Sequence, residues 1–248
     1  MNNTHMMNNI DNKTMNNEIK NIDGILYQVI GDTLYHKGDL YIFESSIQSL
    51  PDNLTVDGDL TILHCYYLKN ISNNLRVNGS FLIGECKIKS LPDTLNVRCN
   101  LTIINCDSFK SLPNNLNVGK NLIVTNTPIT TLPDNIHVGR SIILRGASIK
   151  KLPNNLSVNG DLILSHCHDL TTLSENLYVN DNLVVNTCMN LNAFTKNVIV
   201  RNTMSLDFCL GIKELPEDLK VDNFIYLKNT KINKITSHLK EKVKYTQI

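Results

Sequence analysis

Leu50-Pro51-Asp52-Asn53-Leu54-Thr55-Val56 is a phrase that the chain repeats along most of its length. It returns as Leu91–Val97, Leu112–Val118, Leu132–Val138 and Leu152–Val158, with looser copies starting at Ile71, Leu173, Phe194 and Leu215. With the residue before the Pro slot as anchor, the series is Ile30, Leu50, Ile71, Leu91, Leu112, Leu132, Leu152, Leu173, Phe194, Leu215, Ile235. Every step is 20 or 21 residues, so ten units follow one another without a gap. A period of this length marks a solenoid, in which each unit buries its apolar face only against its neighbours.

Within a unit the apolar slots are the anchor, +4, +6, +10, +12 and +17 or +18, as in Leu132, Ile136, Val138, Ile142, Leu144 and Ile149. The +10 and +12 pair alternates with period two, which predicts a short strand with one face inward. The Pro after the anchor lacks a donor and suits the return segment rather than a ladder. Asn at +3 (Asn53, Asn74, Asn115, Asn135, Asn155, Asn176, Asn197) suits turns, including the left-handed region. Gly at +8 (Gly38, Gly58, Gly79, Gly160) recurs once per unit, so it reads as a turn entering the strand, chosen for φ freedom, and not as a phosphate loop. The expected fold is a repeat solenoid of ten 20–21-residue units, with one parallel β-sheet and irregular, extended return segments. At a strand spacing of about 4.8 Å it makes a rod or arc on the order of 48 Å long. Residues 1–29 are expected to be an Asn-rich leader and cap, 30–235 the solenoid, and 236–248 a C-terminal cap.

Six of the seven cysteines share one slot, +15: Cys65, Cys86, Cys106, Cys167, Cys188 and Cys209. The other units place Ser45, Thr127, Ala147 and Thr230 there, all small. Metal ligands converge in tetrahedral groups, whereas this register strings one thiol per coil along a line. Strand spacing is also wider than the roughly 3.8 Å between Cβ atoms that a disulfide prefers. Reduced, inward-facing structural thiols are expected, a disulfide between coils being the alternative. Cys99 stands outside the register, at +8.

Of 248 residues, 42% are hydrophobic and the formal charge is +1, so no basic excess points to nucleic acid. The charge is uneven: from Phe194 onward ten Lys/Arg face six Asp/Glu. No apolar run approaches the roughly 20 residues of a membrane span. The segment Met1–Asn21 holds eight Asn and no apolar core of a signal peptide, and reads as disordered or weakly helical.

The core Leu101-x-Ile103-x-x-Cys106 resembles the leucine-rich repeat, with Cys in the ladder position. The unit length and recurring Leu-Pro are similar to the bacterial LPX subclass, that of YopM- and IpaH-type type III effectors. Leu-Pro-x-x-Leu-x-Val-x-Gly-x-Leu, legible at Leu50–Leu60 and Leu152–Leu162, also resembles prophage-associated repeat proteins. The likeness covers roughly residues 30–239, but the second Leu-Pro of that consensus is missing and Cys or Thr replaces Asn at +15. It implies a non-catalytic protein-binding scaffold, secreted without a cleavable signal peptide into a host cell, as a virulence effector acting on a host protein. The alternative is a phage-derived or bacterial cytoplasmic structural or adaptor protein whose chemistry lies in a partner chain.

IpaH-type relatives carry a ligase domain with a Cys-x-Asp nucleophile after the repeats. Here nine residues follow the last repeat signal at Leu239, so none is expected. Cys167-His168-Asp169 spells that motif inside the ladder, where the thiol should be inert; His64, His166 and His168 read as exposed turn residues. No nucleotide, hydrolase or zinc-protease motif appears, and neither an enzyme activity nor a cofactor or metal is expected.

The candidate site is the outward strand position, +11: Tyr41, Thr61, Leu82, Thr102, Ile123, Ile143, Ile163, Val184, Ser205 and Tyr226. In the resembled family this position lines the concave sheet. β-Branched residues suit any exposed strand, but four consecutive apolar coils from Ile123 to Val184 exceed scattered exposure and point to an interface. Arg145 at +13, with Asp59 and Asp161 at +9, would frame the stripe; the basic end around Lys228, Lys231 and Lys234 is the competing surface.

Overall fold

The computed structural model describes residues 18–245. The greater part of the expected leader, residues 1–17, lies outside them, as do the last three residues of the expected C-terminal cap. Ten coils stack in sequence order. Their +10 to +13 segments form one parallel sheet of eleven strands, running from Leu40–Phe43 through Leu101–Ile104, Ile142–Arg145 and Leu183–Asn186 to Ile225–Tyr226, with Val243–Lys244 last. The pairing is in register throughout: Leu101 lies beside Leu122, Leu122 beside Ile142, and Ile142 beside Leu162.

The return segments hold more order than expected. Residues +5 and +6 form a second parallel ladder of short strands, such as Asn96–Val97 beside Asn117–Val118. These contribute to an eight-stranded and a four-stranded sheet, so coils are hydrogen-bonded to their neighbours on two sides except at one break. The break falls between His137–Val138 and Ser157–Val158. A groove opens at the same seam, between Thr131–Asn135 and Lys151–Asn155.

The N-terminal end departs from the sequence reading. The expected disordered or weakly helical stretch reaches Asn21, yet Glu18–Ile22 (β1) pairs antiparallel with Ile25–Ile30 (β2), which pairs antiparallel with Thr33–His36 (β3). The reason is Asp23-Gly24, with φ of 51° and 82°, a two-residue hairpin turn in the conformation such a dipeptide favours. Asn21 Oδ1 accepts the Gly24 N–H at 3.0 Å. The hairpin buries Tyr27, 2% exposed, over the end of the core. At the other end a 3₁₀ turn, Ser237–Lys242, buries Leu239.

The core is one continuous cluster from Tyr27 to Leu239, and the +10 and +12 residues of the middle coils are at most 1% exposed. All six ladder cysteines are free and at most 1% exposed. Four of the five 21-residue units fit the same register by adding a turn after +15: the N–H of Leu68, Phe109, Leu170 and Leu191 bonds to the carbonyl of Cys65, Cys106, Cys167 and Cys188 at 3.0–3.2 Å.

Three columns control the corners. At +14 every coil has φ between 48° and 62°, from Glu44 through His64, Asn126, Gly146 and Thr187 to Asn229. At +3 only Asn53, Asn74, Asn155, Asn176 and Asn197 are left-handed; beside Asn115 the chain instead closes a turn, Leu116 N–H to Pro113 O at 3.2 Å. At +9, from Asp39 to Asn182, each side chain accepts the backbone N–H of the next coil's +9 residue: Asp39 from Asp59 (2.8 Å), Asp59 from Ser80 (2.6 Å), Asn121 from Ser141 (3.1 Å), Asp161 from Asn182 (3.1 Å). This ladder corrects the reading of the +8 glycines. Among the four, only Gly38 has positive φ. A Cβ on Gly58 or Gly79 would overlap the Asp39 or Asp59 carboxylate, and one on Gly160 would come within 2.6 Å of Ser141 Oγ. Those three are glycine to admit a neighbouring coil.

Two stability outcomes follow. Leu144→Ala, at a side chain that is fully buried, should cost about 2–5 kcal/mol in denaturant unfolding, as a core cavity does. Thr187→Asn should stabilise by up to about 1 kcal/mol, because a β-branched residue is a poor occupant of the left-handed region; a loss of stability would mean that Thr187 makes a compensating contact.

Candidate functional site

Inward burial of +10 and +12 forces +11 and +13 to the outer face of the eleven-stranded sheet. The register places Thr102, Ile123, Ile143, Ile163, Val184 and Ser205 in one line across six strands. Tyr41, Thr61 and Leu82 align at the N-terminal end, and Tyr226 follows Ser205. All predicted stripe residues are therefore brought onto one face. Leu82, Ile123, Ile143, Ile163, Val184 and Tyr226 are half-buried, because stacked neighbours cover each other's flanks, while Tyr41 and Arg145 are exposed.

The +13 column was passed over in the sequence, apart from Arg145. It runs Phe43, Leu63, Gly84, Ile104, Thr125, Arg145, Ser165, Asn186. Its N-terminal half is apolar and broadens the stripe; its C-terminal half is polar. Gly84 leaves room for Leu63, whose Cδ2 would lie 2.7 Å from an added Cβ. The outer face thus carries an apolar band that alternates between the two columns at Leu63, Leu82, Ile104 and Ile123 and stays in the +11 column at Ile143 and Ile163, where Arg145 flanks it. The signal was present in the same alternation that revealed +11. Asp59 and Asp161 do not serve as free polar groups beside the band, because both act as acceptors in the +9 ladder.

The chemistry-bearing side chains do not converge. Cys167 is fully buried while His168 and Asp169 are exposed, so the Cys-x-Asp triplet points in opposite directions. His166 and His168 stand edge to face, 6.1 Å apart. His64 Nδ1 lies 3.0 Å from Glu85 Oε2 in the next coil, and both are at +14. Among the described residues no three of His, Cys, Asp and Glu come together as a metal-binding group. No described helix is long and apolar enough to cross a membrane. The seam groove is lined by backbone turns, Asn and Pro side chains, Asp134 and Lys151, with nothing arranged as a nucleophile and base.

Burial governs the thiols. Desolvation pushes Cys86 up to about 12 and Cys106 in the same direction. Cys188 is held above the usual thiol range by hydrogen bonds shared with Cys167 and Cys209, and then by burial. Its two neighbours are drawn lower by that bonding, against desolvation. Access is closed to all of them.

Among solved structures, the chain is similar to the leucine-rich repeat domain of the type III effector XopL, with a TM-score of 0.55 and 17% sequence identity over 82% of this chain and 77% of that one. The likeness shows the fold: a leucine-rich-repeat-like parallel solenoid. No protein-family model and no curated protein matches the sequence.

A thiol reagent under native conditions should modify Cys99, which is partly exposed, well before the six ladder cysteines, and should reach all seven after denaturation. Mass spectrometry of the labelled sites checks this, and fast native labelling along the ladder would contradict the inward register.

Proposed function

We propose that the chain is a non-catalytic protein-binding scaffold that holds its partner on the outer face of the long sheet. The observation that supports this most is the apolar band itself: Ile123, Ile143, Ile163 and Val184 in register at +11, extended toward the N-terminal end by Leu82 at +11 and by Leu63 and Ile104 at +13, on a surface that the rest of the described chain leaves uncovered. A soluble solenoid can fill outward strand positions with Thr or Ser, as this one does at Thr61, Thr102 and Ser205. Apolar residues in successive coils add desolvation energy to any partner that covers them, about 25 cal/mol for each Å² buried. Interface energy concentrates in a few such anchors. Arg145, exposed beside Ile143 and Ile163, supplies a charged rim contact of the kind enriched at interfaces.

The finer reading is that the partner is a host protein and the chain a secreted bacterial virulence effector. The repeat phrase resembles that of such effectors, and the fold is like that of one effector's repeat domain. The leader on which export would depend falls in residues 1–17, outside the described residues.

The test replaces Ile123, Ile143 and Ile163 together with Ser. The triple variant should unfold at nearly the same denaturant concentration as the parent, since these side chains lie outside the core. It should also lose at least tenfold in capture of host protein from lysate. Asp134→Lys, on the Pro side of the coil, should change neither. A folded triple variant that still captures the same partner would move the site off this face.

A further inference from the structure

The two ends of the long sheet are finished differently from the two ends of the core. At the N-terminal end the β1–β2 hairpin continues the short ladder and stops there. The long sheet ends bare at Leu40–Phe43 (β4), which among the described residues pairs with Leu60–Leu63 alone. Leu40 and Glu44 donate to the second coil, to Asp59 O at 2.8 Å and Leu63 O at 3.1 Å. In a parallel ladder alternate residues face opposite neighbours, so Tyr41 and Phe43 turn their N–H and C=O groups outward. Their side chains are 57% and 52% exposed and stack with centroids 6.2 Å apart.

At the C-terminal end the last strand is Val243–Lys244, beside Ile225–Tyr226. Leu227 donates to Lys244 O at 3.2 Å, so Lys244 faces back into the sheet and the flanking Val243 and Tyr245 face out. In coil register Val243 stands at +10, Lys244 at +11 and Tyr245 at +12. The outward backbone groups of one end are the +10 and +12 positions; those of the other are +11 and +13. That is the same relation by which every internal coil bonds to the next.

Charge points the same way. Glu18 to Asn70 holds eight Asp/Glu against three Lys, and Lys228 to Lys244 holds six Lys against one Glu. Like ends repel, and unlike ends attract over about a Debye length. At a junction Lys244 would lie beside Tyr41, whose hydroxyl donates to Asp39 Oδ2 at 3.3 Å. Within the chain Lys244 already sits 5.1 Å from the Phe224 ring centroid, and Lys228 is 5.9 Å from that of Phe208.

We propose that the chain associates with a second copy of itself head to tail, Val243–Tyr245 of one copy pairing in parallel with β4 of the next. The junction continues the long sheet alone: the β1–β2 hairpin, which extends the short ladder past the first coil, keeps the two cores apart, so the stacks meet at an angle. Such a contact is heterologous, so it builds a ring or an open chain of copies and not a two-fold dimer. It is independent of the partner assigned to the outer face.

The experiment is sedimentation of the full chain over a concentration series at low and high salt, with thermal unfolding as the folding control. At low salt the mass should rise with concentration in steps of 28.0 kDa and fall back at high salt. Tyr41→Pro, which removes an outward N–H without touching the bonds to Asp59 and Leu63, should weaken association at least tenfold. The double variants Asp39→Lys/Glu44→Lys and Lys240→Glu/Lys244→Glu should each associate at least tenfold more weakly alone, because one end has lost most of its net charge, and should associate more strongly when mixed, through the two unaltered ends. A parent that stays at one chain mass at every concentration would overturn the proposal. So would a plateau at two chains that survives Lys240→Glu/Lys244→Glu, or folded charge variants that fail to associate on mixing.

Discussion

Hydrogen bonds between coils are the constraint from which the rest of the structure follows. For two ladders to run unbroken, every slot must sit about one strand spacing from its equivalent in the next coil. A side chain that fits in one coil must therefore tolerate a near-copy of itself immediately above and below. At +15 this admits only Cys, Ser, Thr or Ala. At +8 it removes the Cβ wherever the preceding +9 acceptor leans in, as at Gly58 and Gly79. At +14 it imposes a left-handed corner on every coil, including Thr187 and Phe208, whose side chains gain nothing locally from that conformation. The local cost is offset by two more coils held in register.

The period, the inward pair at +10 and +12 and the small-residue ladder were legible in the sequence, because each is a repeated choice of side chain and burial selects side chains. What escaped was selected by backbone geometry. Asp39, Ser80, Asn121 and Asp161 look unrelated in type, yet all share the ability to accept a hydrogen bond at +9. Glu44, His64, Thr187 and Phe208 share nothing but a positive φ, so no composition rule picks out their column. The hairpin at Asp23-Gly24 was missed for another reason: the Asn-rich stretch before it dominates the composition of that end, while the turn signal occupies two residues.

The same stacking sets the outer face and the two ends apart from the rest of the surface. The six ladder thiols are buried one per coil and the histidines of the same coils lie toward the surface, so among the described residues no three of His, Cys, Asp and Glu gather at one point. The outer face is a surface whose residues vary while keeping a line, and there the +13 column changes from apolar to polar between Ile104 and Ser165. At the ends the ladder simply runs out, and whatever finishes it is decided by a few residues in one coil.

The turn after +15 in the coils containing Cys65, Cys106, Cys167 and Cys188 gives the architecture a property of another kind. It absorbs an extra residue at one corner without disturbing register on the other sides. Length is thus elastic at that corner and rigid elsewhere, so the corner is where such a chain can acquire loops over evolutionary time. Insertions there would emerge beside the +13 column in coil after coil, forming a variable rim around a constant sheet. A lineage could change what it contacts by lengthening that rim while leaving every buried residue in place.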